Sequence, residues 1–149
     1  MDRNGFRVLG HPVHTLFTHF PIALWSVSIL WDILGIWRGN PLWWHFSFWS
    51  IALGLVFALF AAGTGLVDSV TVKGKGPEEK TLTLHMYVIL SAFALYLASF
   101  LVRMKTQVPS GGNLILAVSL SVFGFIVLVI GSWYGGELVY QFGIGTKHR

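Results

Sequence analysis

Residues 114–134 read LILAVSLSVFGFIVLVIGSWY and contain no Asp, Glu, Lys, Arg or His. The hydrocarbon core of a bilayer, about 30 Å thick, is crossed by ~20 residues of helix, so this run is long enough to span by itself. Working outward, three more stretches of the same kind lie near Val13–Trp37, Leu42–Val70 and Leu82–Val102, separated by short loops. Backbone polar groups find no water in lipid, so each stretch is expected to be helical. The expectation is an all-α fold: one transmembrane four-helix bundle of up-down-up-down topology over residues 1–149, with both termini on one side.

The rest of the composition fits a polytopic membrane protein: 54% apolar and 11% charged residues, with a mean hydropathy of +0.69, lie outside soluble norms. The first stretch lacks the basic leader and small-residue cleavage site of a secretory signal, and its Trp25, Trp31 and Trp37 suit a retained span. The chain has no cysteine. Disulfides, iron–sulfur clusters, thiolate zinc sites and covalently attached haem are thereby excluded.

Sidedness follows from Lys and Arg. The side of the termini and the second loop carries Arg3, Arg7, Lys73, Lys75, Lys80, Lys147 and Arg149, against Arg38, Arg103 and Lys105 opposite. This bias predicts N and C termini on the cytoplasmic side of the membrane. The net charge of +4 is then a matter of topology and anionic headgroups, with no nucleic-acid surface implied. Trp37, Trp43 and Trp44 at the far side, and Trp133, Tyr134 and Tyr140 at the near side, are expected as interfacial anchors. Small residues at Gly54, Ala58 and Ala62, and at Gly124, Gly131 and Gly135, predict close helix approach.

The halves align loosely when His19 is set against His85. Each histidine leads a helix ending in arginine, at Arg38 and Arg103, and the second helices end in Gly63-Thr64-Gly65-Leu66-Val67-Asp68 and Gly135-Gly136-Glu137-Leu138-Val139-Tyr140. Two duplicated hairpins would be parallel repeats about an axis along the membrane normal. That axis would place the first and third helices diagonally, with His19 facing His85.

Three of the six histidines, His11, His14 and His19, fall within nine positions at the start of the first span. At roughly 100° per residue, His11 and His14 lie about 60° apart and His19 points away from His14. Pro12 suits a first helical turn, whereas Pro21 falls inside the span and is expected to bend it. Asp68 and Glu137 close the second and fourth spans, where the helix dipole disfavours negative charge. Partners are expected among Arg7, the histidines and the loop lysines, either as a functional site or as a network tying helix ends together. Asp32, in the far half of the first span, would be explained by a structural hydrogen bond or by Arg38.

His11-Pro12-Val13-His14 followed by His19-Phe20-Pro21-Ile22, the Gly65-Leu66-Val67-Asp68 ending, His85, Gly135-Gly136-Glu137-Leu138-Val139-Tyr140 and Gly143-Ile144-Gly145 resemble a bacterial membrane-domain family, domain of unknown function 2231. The resemblance covers nearly the whole chain and implies a four-span layout more than an activity. It carries over His11, His14, His19, Asp68, His85, Gly135, Gly136 and Glu137. Relatives fused to Rieske or cytochrome-like modules imply redox chemistry. This chain has no such module, so a redox role needs a bound cofactor or a separate partner.

Three functional classes follow. In the first, haem b is held between His19 and His85 as iron ligands, with His11, His14 or Arg7 at the propionates, Asp68, Glu137, Gly135 and Gly136 around them, and Phe17, Phe20, Trp25 and Tyr87 lining the slot. Electrons would pass to a quinone or a redox partner protein. In the second, His11, His14, His85, Asp68 and Glu137 bind zinc or iron. In the third, the chain is an accessory subunit of a larger respiratory or photosynthetic membrane complex. An enzyme is not expected: no Ser-His-Asp nucleophile elbow is present, and Gly74-Lys75-Gly76 lacks the spacing of a phosphate loop.

Overall fold

In a computed structural model, residues 7–8, 11–70 and 76–144 are described. The side chains of Arg7 and His11 lie outside the described residues, as do Arg3, Lys73, Lys75, Lys147, His148 and Arg149. Four helices carry the fold: α1 Val13–Arg38, α2 Pro41–Ser69, α3 Pro77–Arg103 and α4 Gly111–Tyr140. A two-residue antiparallel pairing precedes them, β1 Arg7–Val8 with β2 His11–Pro12. All four helices are long and apolar enough to cross a membrane.

Local chemistry sets the helix ends. Gly39 takes φ 63°, a left-handed turn that a side chain would strain. Asn40 then accepts the Leu42 N–H at 2.9 Å ahead of Pro41, whose missing N–H costs nothing in a first turn. Pro77 opens α3 in the same way, with Glu78 and Glu79 on the favourable end of its dipole. At the end of α4, Ile144 N–H reaches Leu138 O at 2.9 Å and Gly143 N–H reaches Val139 O at 3.1 Å, with Gly143 at φ 64°. With its N–H on the carbonyl four residues back, Gly143 closes α4 as an αL cap. It gives part of the carboxy-terminal glycine motif a structural reason.

The hairpins α1–α2 and α3–α4 pack most closely within themselves, and α2 with α3 and α1 with α4 close the bundle more loosely. That leaves α1 and α3 diagonal, as the repeat reading requires. They meet on the central axis, where Trp25 stacks on Tyr96 at 4.4 Å between centroids and Tyr96 OH donates to Trp25 O at 3.1 Å. The buried positions of α1 are Pro21, Trp25, Ser28, Asp32 and Gly35, and those of α3 are Ala92, Tyr96, Ser99 and Arg103. Steps alternating between three and four residues keep one stripe on the axis, as in knobs-into-holes bundles.

Trp44 departs from its expected place at the lipid boundary. It is 5% exposed and covers Gly35, where a Cβ would sit 2.6 Å from the Trp44 ring. The interfacial reading holds better for Trp37, which is exposed and lies under the Arg38 guanidinium at 4.5 Å, and for the exposed Trp133 and Tyr140.

Candidate functional site

One helical repeat of two turns before Pro21 on the α1 stripe stands His14. One such repeat before Ala92 on the α3 stripe stands His85. Each ring is pinned to the second helix of its own hairpin: His14 Nδ1 lies 2.8 Å from Ala61 O, and His85 Nδ1 lies 2.8 Å from Gly131 O. A carbonyl only accepts, so Nδ1 carries the proton in both rings, and in the neutral ring Nε2 is the nitrogen with the free lone pair. Both rings are partly buried and lie within electrostatic reach of each other.

Glycine makes these bonds possible. The carbonyl at Ala61 is crossed by the side chain four residues on, and that residue is Gly65; for Gly131 it is Gly135. A Cβ on Gly65 would come 2.7 Å from His14 Cε1, and one on Gly135 would come 3.1 Å from His85 Cε1. Ser132, beside Gly131, adds a third polar group. It continues the α4 stripe of Ser121 and Leu128, and its buried hydroxyl has no hydrogen-bond partner among the described residues.

The two histidines are therefore equivalent, and the duplication has a different register from the sequence alignment. His85 lies 71 positions after His14, as Tyr96 after Trp25 and Arg103 after Asp32. In the second helices the offset is one position shorter, matching Ala61 with Gly131, Gly65 with Gly135 and Gly54 with Gly124. Gly54 underlies Trp25 as Gly124 underlies Tyr96, with added Cβ atoms 2.3 and 3.0 Å from the rings. His14, not His19, is thus the counterpart of His85, and Gly65, not Gly63, that of Gly135.

His19 corrects the expected ligand pair. Its ring is exposed, with Nδ1 2.6 Å from the Thr15 carbonyl of its own helix. Five residues of helix turn it well off the axial stripe. Of the expected slot-lining aromatics Trp25 lies on the axis, whereas Phe17 stacks on Phe60 and Phe20 on Phe57 between α1 and α2, and Tyr87 is exposed. Asp68 and Glu137 are both partly buried at the ends of their helices, with Gln141 Nε2 3.5 Å from Glu137 Oε1. Among the described residues nothing lies closer to a Cβ on Gly136 than Tyr140 at 4.0 Å, and none of them demands glycine there. Among the described residues no three His, Asp or Glu side chains form a metal-holding group.

Sequence reasoning missed a buried ion pair in the far half. Arg103, 0% exposed, donates from Nη1 to Asp32 Oδ1 at 2.9 Å and from Nη2 to Asp32 Oδ2 at 2.7 Å. Arg103 Nε reaches Ser99 Oγ at 3.2 Å, Nη1 reaches Ser47 Oγ at 3.3 Å and Nη2 reaches Ser121 Oγ at 3.4 Å. The partner of Asp32 is Arg103, not Arg38, and Arg103 is no loop charge. The overlooked signal is spacing, since Asp32 follows His14 at the same interval as Arg103 follows His85.

The family described as "Predicted membrane protein (DUF2231)" matches residues 10–148. The chain belongs to this family. No curated protein matches. No solved structure matches. Membership of DUF2231 agrees with the four apolar helices and leaves the activity to be argued from the paired histidines.

Proposed function

We propose that this DUF2231 protein is a membrane-embedded electron carrier that holds a b-type haem between His14 and His85. The observation that carries this reading is the matched pair of imidazoles, one from each half, each with Nδ1–H on a carbonyl and Nε2 available. A metal-ligating histidine characteristically has its other nitrogen held in this way, which fixes the ring and raises its basicity. Two protein nitrogens fit a group that brings four donors of its own. They fit zinc poorly, which takes three or four protein ligands. Bound haem would supply one-electron chemistry. The chain's part is to orient both rings and keep them in an apolar interior. The Ser132 hydroxyl offers the bound group a hydrogen bond. A quinone or a redox partner protein would exchange the electrons, either for the chain alone or as a subunit of a larger membrane complex.

The test is an absorption spectrum of detergent-purified protein. A Soret band that shifts on reduction is expected, lost in His14→Ala and in His85→Ala and retained in His19→Ala. A colourless protein carrying stoichiometric zinc would overturn the haem reading in favour of a metal site, and loss of the band in His19→Ala alone would overturn the choice of ligands.

A further inference from the structure

Asp32 and Arg103 hold equivalent places in the two halves, and they hold each other. Residues on a two-fold axis meet their own counterparts. If the first hairpin paired with the first hairpin of another copy, Asp32 would face a second Asp32; the second hairpin would set Arg103 against Arg103. The apolar parts of the axial face distinguish the halves less sharply, because the Trp25-on-Gly54 contact of one half repeats as Tyr96-on-Gly124 in the other, with the Tyr96 hydroxyl on Trp25 O as the one added cross-half bond. Both halves also place a buried serine between the aromatic and the charge, at Ser28 and Ser99.

We propose that the axis-facing surface of each hairpin is a self-complementary interface, and that the Asp32–Arg103 pair restricts its partner to the opposite half rather than to the same half of a second copy. Every guanidinium hydrogen has an acceptor on the axis, with α1 supplying Asp32, α2 Ser47, α3 Ser99 and α4 Ser121. Breaking such a pair leaves a buried charge unmatched, and facing it with its like adds repulsion. The device has a use during synthesis. The first hairpin is complete before the second exists, and like hairpins are then its available partners. The pairing rule is independent of what His14 and His85 hold.

Charge reversal in the full chain tests it, with monomer recovery from detergent read by size exclusion. Asp32→Arg alone and Arg103→Asp alone are each expected to reduce monomer by roughly tenfold or more. The double variant Asp32→Arg/Arg103→Asp is expected to recover several-fold over either single, since Ser28 precedes position 32 by the same turn as Ser99 precedes Arg103. Co-expressed with different tags, the two single variants are expected to co-purify as an exchanged dimer: Asp32 of one copy meets Arg103 of the other, and the introduced arginine meets the introduced aspartate. Wild-type monomer yield from either single, a double variant no better than the singles, or failure of the tagged copies to co-purify would each overturn the proposal.

Discussion

His14 and His19 stand five positions apart on one helix, and their surroundings give them different uses: His14 reaches across to Ala61, whereas His19 bonds back to Thr15 and faces outward. The difference rests on the glycine four residues after Ala61. Gly65→Ala puts a Cβ 2.7 Å from the His14 ring, so the ring must leave its carbonyl. Cofactor occupancy, read from the Soret band of purified protein, is expected to fall several-fold. Gly63→Ala is the control, because nothing lies within 4 Å of its added Cβ, and occupancy should be unchanged. Ser132 makes the complementary case. A buried hydroxyl without a partner costs about 1–3 kcal/mol, so Ser132→Ala should raise the thermal midpoint of the cofactor-free protein. If the hydroxyl serves the bound group, the same variant should bind that group more weakly; unchanged binding would remove Ser132 from the site.

At the scale of the helix, the small-residue rows decide how near two backbones come. Gly54→Ala would press a Cβ onto Trp25 Nε1, against a ring that is stacked on Tyr96 and bonded to Ile51 O. Overpacking of this kind costs typically 1–3 kcal/mol. Gly124→Ala, with 3.0 Å to Tyr96, should cost less, and thermal unfolding of both variants in one detergent would order them. The helices are legible in the sequence, because charge-poor apolar runs of span length leave no alternative in lipid, and the starts at Asn40-Pro41 and Gly76-Pro77 are local chemistry. The repeat was legible as a pattern but not in its register. Aligning on His19 followed a shared arginine at the helix end, yet Arg38 stays at the surface while Arg103 turns inward to Asp32. Nothing in linear spacing says which arginine is buried until Asp32 and Arg103 are seen at equivalent positions. Trp44 was misplaced for a similar reason: a tryptophan near a helix end reads as an anchor unless the facing residue, Gly35, is known to leave room beneath it.

At the scale of the whole molecule, moving Arg103 to the interior changes the account of orientation. Of the far-side cations only Arg38 and Lys105 then remain in loops or at helix ends, so the basic excess on the side of the termini is larger than the simple tally of loop charges suggested. On the positive-inside rule Glu78, at the start of α3, is expected on the cytoplasmic side and Lys105, after α3, on the opposite side. The absence of cysteine gives a clean measurement. Glu78→Cys and Lys105→Cys can be made singly, each supplying the chain's one thiol, and intact cells treated with a membrane-impermeant maleimide. Labelling of Lys105→Cys in intact cells, with Glu78→Cys labelled only after the membrane is opened, is the expected result. The reverse pattern would put the His14–His85 end of the bundle on the external side, and would require its electron partner to be sought there. Lys105 lies beyond the end of α3 and Glu78 in its first turn, so neither substitution touches the ion pair on which the bundle's centre depends.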